Sequence, residues 1–205
     1  TYACRQQNIA VYNVMHGDKY FSTLDSYFIV DRCYCWHQYY VDLFRRQKVK
    51  SGDYRLFENL AMMRKNEFVR ADIERIGVIM PADYELVSSL NDKAASMSAF
   101  ISGINSLSEE FSVVLRPHPL HPDHYQSIKH RLSSAISISE PLAEDSIEFI
   151  GTMKVLVGSC STVLLESALM GLTTVVINTA LLEDIRESHF IFEYPNVIVA
   201  DLEKF

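Results

Sequence analysis

Three short stretches of this 205-residue chain gather polar side chains of the kinds that hold an anion or move a proton. They are Arg116-Pro117-His118-Pro119, Gly158-Ser159-Cys160-Ser161-Thr162 with Glu166 just beyond, and His16-Gly17-Asp18-Lys19. In the second, the hydroxyl residues run directly into Val163-Leu164-Leu165-Glu166, so they occupy the cap and first turn of a helix. Backbone N–H groups, the positive end of the helix dipole and the hydroxyls of Ser159, Ser161 and Thr162 then converge on one point, which suits a phosphate. Glu166 lies four residues after Thr162, on the same helix face, where a carboxylate can accept hydrogen bonds from ribose hydroxyls. The same residues also read as an ordinary Ser/Thr cap followed by a solvated glutamate.

In the first stretch two prolines stiffen a turn that presents Arg116 and His118 at the end of a strand. An arginine and a histidine fixed together suit an anion, because both donate charge-assisted hydrogen bonds. The alternative is a rigid loop in which His118 is structural. His121 and His124 follow at intervals of three, a spacing that also admits a metal. Fixed cations and helix dipoles of the protein can do the same electrostatic work without one. His16 closes a strand-like run, and a histidine titrating near neutrality can serve there as a general base or as a phosphate contact. A loop histidine without chemical duty is the competing reading.

Elements must place these residues, and the second half of the chain alternates apolar strands with helical runs. Strands are predicted over 75–81, 112–116, 136–140, 154–158, 173–177 and 196–200, with helices over 85–107, 122–133, 142–150, 161–170 and 181–187. Gly171 is placed to end the 161–170 helix. Strands of continuous Val, Ile and Leu, separated by helices, imply a parallel sheet covered on both faces: an α/β, Rossmann-like, doubly wound fold. In such sheets ligands sit beyond the carboxyl ends of the strands, where all three polar stretches fall. Residues 1–70 are less regular, with strands over 8–14 and 27–30, a helix over 36–47 and a loop over 48–59. They are read as the first part of the same unit, giving one domain over 1–205 whose core nucleotide-binding region is 71–205.

Composition narrows the function. A net charge of -7 removes the broad positive field that nucleic-acid binding needs, so an anionic ligand is held locally, as a small nucleotide would be. Cys4, Cys33, Cys35 and Cys160 show no disulfide framework, which fits a reduced, cytosolic chain. Cys33 and Cys35 share one strand face, but Cys33-x-Cys35-x-His37 lacks the second ligand pair of a structural zinc site. The most apolar stretch, 155–182, is interrupted by Glu166 and Asn178 and is not a membrane span. A start at Thr1 suggests a piece of a longer enzyme.

The Arg-Pro-His-Pro turn, followed some forty residues later by Ser-x-Ser-Thr-x-x-x-Glu-Ser-Ala at a strand-to-helix junction, resembles the C-terminal donor domain of GT-B glycosyltransferases. The likeness is to the bacterial enzymes of surface polysaccharide and capsule synthesis, the sialyl- and Kdo-transferases and the CDP-glycerol glycerophosphotransferases. It is strong from about Ile76 to Asp201 and weak before. It implies metal-independent transfer from a CMP-, CDP- or UDP-linked sugar, with no cofactor. Donor phosphate would be bound by His118, Ser159, Ser161 and Thr162, with Arg116 supporting either the turn or the phosphate, and ribose by Glu166. His16 would sit near the interdomain cleft as catalytic base. It further implies a saccharide or lipid-linked acceptor held by an N-terminal domain that 205 residues are too few to contain at usual size, and a complete enzyme at the inner face of the cytoplasmic membrane. Two other readings stay open: a nucleotide-sugar epimerase on the same fold, which needs carboxylates to take a proton from the sugar, and a non-catalytic interaction module. Tyr27, Phe28, Tyr34, Trp36, Tyr39 and Tyr40 would then form core or a partner surface.

Overall fold

The computed structural model describes residues 2–15, 29–59, 63–64, 74–80, 90–119, 122–159, 161–178 and 189–201. The chain divides into two compact units, Thr1–Met63 and Arg64–Phe205.

The first unit contains α1 (Tyr2–Gln6), β1 (Tyr12–Val14), β2 (Ile29–Val30), β3 (Arg32–Cys35), α2 (Gln38–Arg46), β4 (Lys50–Ser51) and β5 (Tyr54–Leu56). Strands β1, β3 and β5 form one parallel sheet in that order, and β2 pairs in parallel with β4. Tyr40, Val41, Leu43 and Phe44 give α2 one apolar face, and all four are buried. His37 caps this helix, its Nδ1 accepting from the Tyr39 N–H at 3.2 Å. Cys33 and Cys35 point inward from one face of β3 with their sulfurs 3.9 Å apart. The loop predicted over 48–59 is corrected here, since it carries β4 and β5. Two- and three-residue strands are too short to show an alternating pattern, and backbone pairing to β2 and β3 makes them. The strand predicted over 8–14 shortens to its last three residues, with Asn8 in a left-handed turn at φ 53°.

The second unit contains β6 (Arg75–Ile79), α3 (Leu90–Glu110), β7 (Ser112–Arg116), α4 (Pro122–Ile128), β8 (Ser137–Ile138), α5 (Ser146–Gly151), β9 (Val155–Gly158), α6 (Thr162–Leu169), β10 (Thr173–Asn178) and β11 (Val197–Asp201). Its six strands are all parallel, in the order β11-β10-β9-β6-β7-β8. The chain enters at the middle, steps outward through β7 to β8, then returns to the other side of β6 and steps outward again. On one sheet face Met97, Phe100, Ile101 and Ile104 of α3 pack with Val78, Val113, Leu115 and Val157. On the other face Gly77 of β6 lies against Phe149 and Met153, and a Cβ there would come within 2.6 Å of Leu156 Cδ1 and 2.9 Å of Met153 Cγ. Helices on both faces of a parallel sheet make this the Rossmann-like, doubly wound unit expected from the sequence.

Local signals set the helix ends. Ser161 caps α6, and Gly171, at φ 79°, ends it: its N–H bonds to Ala168 O and the Leu172 N–H to Ser167 O. The helix predicted over 142–150 begins later, because Asp145 and Glu148 form a reciprocal capping box. The helix predicted over 122–133 gives way after Ile128 to a single 3-10 turn, Lys129–Arg131. The helix predicted over 181–187 lies outside the described residues. Among the described residues no helix is long and apolar enough to cross a membrane.

Candidate functional site

All six strands run the same way, so β6, β7 and β9 end at one edge of the sheet. Strand β6 lies between β7 and β9. The Arg116–Pro119 turn and the start of α6 therefore flank it on strands roughly 10 Å apart. Here the strand order reverses, and open α/β sheets hold their ligands in the crevice at such a reversal.

At the start of α6, Ser161 has extended backbone (φ -153°, ψ 163°) and its Oγ accepts from the Leu164 N–H at 3.4 Å. The helix's own bonding begins with the Leu165 N–H to Ser161 O at 3.0 Å, so the amides of the first turn are of the class that takes partners from outside a helix. Ser159 is buried at the end of β9, and Ser161 and Thr162 are half-buried. Gly158 lets this edge close up, since a Cβ on it would sit 3.1 Å from Ile79 O.

Glu166 is not solvated. It is 9% exposed, and its Oε2 accepts from Ser146 Oγ, on α5, at 2.8 Å. Burial pushes the Glu166 carboxyl above its ordinary range and Asp145 adds to the rise, while the Ser146 hydrogen bond and the Arg116 charge oppose it.

Arg116 is 6% exposed and its guanidinium is engaged inside the protein. Nη1 donates to Ser139 Oγ at 2.9 Å and to Glu144 Oε2 at 3.3 Å, and Nη2 donates to Glu144 O at 2.8 Å. Ser139 Oγ donates in turn to Glu144 Oε2 at 2.8 Å, and the guanidinium carbon lies 4.9 Å from the centre of the Phe149 ring. Burial lowers the guanidinium from its ordinary value, against the pull of Glu144, Asp145 and Glu166. Next to it, Pro117 to Pro119 with half-buried His118 form one wall of a cavity of about 170 Å³, closed by Tyr125 and Gln126 of α4 and by Ser139 to Leu142.

The structure thus brings Arg116, His118, Ser159, Ser161, Thr162 and Glu166 to one edge of one sheet. His16 lies outside the described residues, as do Asp18, Lys19, Cys160 and His121. Among the described residues no three His, Cys, Asp or Glu side chains gather as a metal site. Sequence reasoning missed Ser139, Glu144 and Ser146, whose bonds cross 23, 28 and 20 residues, beyond the reach of local spacing. The Asp145-x-x-Glu148 capping box was the one local sign that residues 144–146 would be fixed.

No family model matches the chain, and no curated protein matches it in sequence. Solved structures do match in fold. UDP-GlcNAc 2-epimerase from Methanocaldococcus jannaschii aligns over 99% of this chain and 62% of its own, with a TM-score of 0.57 and 14% identity. The same enzyme in complex with UDP-GlcNAc and UDP gives 0.61 and 13%, over 99% and 61%. Anabaena Alr3699/HepE in complex with UDP and glucose gives 0.53 and 11%, over 99% and 62%. The chain spans about three-fifths of the length of each of these proteins. With the parallel strand order, these likenesses show a fold of the GT-B-like, Rossmann half type, shared with proteins whose structures hold UDP or UDP-GlcNAc.

Proposed function

We propose that this chain binds the nucleoside diphosphate of an activated sugar and belongs to a glycosyltransferase of bacterial surface polysaccharide synthesis. The observation that supports this reading is that the His118 turn and the Ser161-capped helix follow the two strands on either side of β6, where the strand order reverses. A diphosphate seated there would take N–H donors and the dipole from the start of α6, with hydroxyls from Ser161 and Thr162 and a further donor from His118. Negative charge grows on that phosphate as the bond to the sugar breaks. Donors already fixed in place stabilise it most at that moment. Glu166 is proposed for the ribose hydroxyls and the cavity beside Pro117 to Pro119 for the base. A saccharide or lipid-linked acceptor completes the reading.

A second reading, epimerisation of the sugar on its nucleotide, is favoured by the two epimerase structures among the matches. Incubating the chain with UDP-GlcNAc alone separates the two. The transferase reading expects the sugar configuration to be kept, and a new C2 epimer in the products would overturn it in favour of the epimerase. A thermal-shift series with UDP, CDP, CMP and their sugars tests binding itself, since a ligand held only by the folded state raises the melting temperature. His118→Ala and Ser161→Ala are each expected to abolish the rise given by the best nucleotide. A rise kept in both would contradict the site.

A further inference from the structure

Between the cavity wall and Glu166 run three consecutive residues, each tied to a different element. Glu144 receives the Arg116 guanidinium at the end of β7 through its side chain and its carbonyl, at 3.3 and 2.8 Å. Asp145 caps α5 through the Glu148 N–H at 2.7 Å and pairs with Arg64 at 3.2 Å. Ser146 donates to the Glu166 carboxylate on α6 at 2.8 Å. The segment therefore touches both halves of the proposed site. At one end it fixes the turn that carries His118, and at the other it fixes the carboxylate assigned to ribose.

We infer that Glu144–Ser146 is a positioning strut, and that Arg116 serves the ligand through this strut by fixing the Pro117–Pro119 turn, without touching phosphate. The inference rests on the nucleotide-binding reading and takes, of the two roles the sequence offers Arg116, support of the turn over contact with phosphate. The geometry argues for it in three ways. Arg116 is 6% exposed, three of its hydrogen bonds already end on Ser139 and Glu144, and its guanidinium carbon lies 4.9 Å from the centre of the Phe149 ring. A lysine keeps the charge but cannot bridge Ser139, the Glu144 carboxylate and the Glu144 carbonyl with a planar fork. A phosphate contact and a strut therefore give different results for Arg116→Lys.

The test uses the full chain, wild type, Arg116→Lys and Ser146→Ala, with UDP and with uridine as probes by calorimetry, and backbone hydrogen exchange without ligand. The strut expects Arg116→Lys to weaken UDP and uridine by the same factor, about tenfold. It also expects exchange at residue 118 and across 139–146 to quicken by about tenfold or more, with distant strands such as β10 unchanged. Ser146→Ala is expected to cut affinity for both probes and to quicken exchange at the start of α5. A loss confined to UDP, with uridine binding kept, would make Arg116 a direct phosphate contact and overturn the inference. So would unchanged exchange over 139–146 in Arg116→Lys. If the wild-type chain binds neither probe, the nucleotide reading fails by itself, and the exchange result alone then decides whether the strut exists.

Discussion

Glu166 puts a carboxylate where the protein has little water, and its titration reports on that placement. Burial raises its folded-state value above the ordinary carboxylate range, so the folded chain holds this proton more tightly than the unfolded chain. The stability linked to the proton is complete below the unfolded value, at about pH 4, and is lost as pH rises through the folded one. Glu166→Gln carries no charge and removes that slope. We expect the Gln variant to gain about 2 °C or more in melting temperature over wild type at pH 8, compared with the difference at pH 4. An equal difference at both pH values would mean that Glu166 is solvated, as the simpler reading of its cap held. Ser146 tunes the same group in the opposite sense. With Asp145 and Arg116 as the charges facing Glu166, losing the Ser146 donor in Ser146→Ala should move the midpoint of any pH-dependent nucleotide affinity upward. At this scale the sequence displayed the residue types at the strand ends, and Arg116, His118, Ser161 and Glu166 could be picked out from their places beside apolar runs. It did not display who holds them. The partners of Arg116 and Glu166 lie 20 to 28 residues away in loops without a period of their own.

In the second unit the elements that end on a strong local signal were legible, while the end of α4 and the start of α5 were not. Strand β7 spans Ser112–Arg116, as predicted around the apolar run Val113–Leu115, and Gly171 ends α6 with the two hydrogen bonds that an αL residue allows. The first unit was less legible because its β4 and β5 are two and three residues long and owe their form to pairing with neighbours. Element packing makes its own prediction at Gly77, where β6 meets α5 and β9. A methyl group there overlaps Leu156 and Met153, so Gly77→Ala should cost about 1–3 kcal/mol, read as a lower denaturant midpoint at unchanged slope. A neutral effect would show that α5 is not seated closely on the sheet. Ser161→Ala should cost about 1 kcal/mol through the lost cap alone, which is a small effect beside the loss of ligand binding expected from the same change.

On the scale of the whole molecule, the division at Met63 and Arg64 gives the second unit a core of its own. All the described candidate residues belong to that unit. Residues 64–205 expressed alone are therefore expected to unfold cooperatively and to bind UDP within about twofold of the full chain's affinity, by calorimetry. A fragment that folds yet loses the ligand would show that the first unit supplies contacts the account omits. A crystal structure of the chain with UDP would show whether the turn at His118 and the start of α6 hold one diphosphate between them. Phosphate oxygens are expected at about 3 Å from first-turn amides of α6 and from the His118 side chain, with Arg116 still on Glu144. UDP bound elsewhere, or touching only one of the two segments, would contradict this expectation.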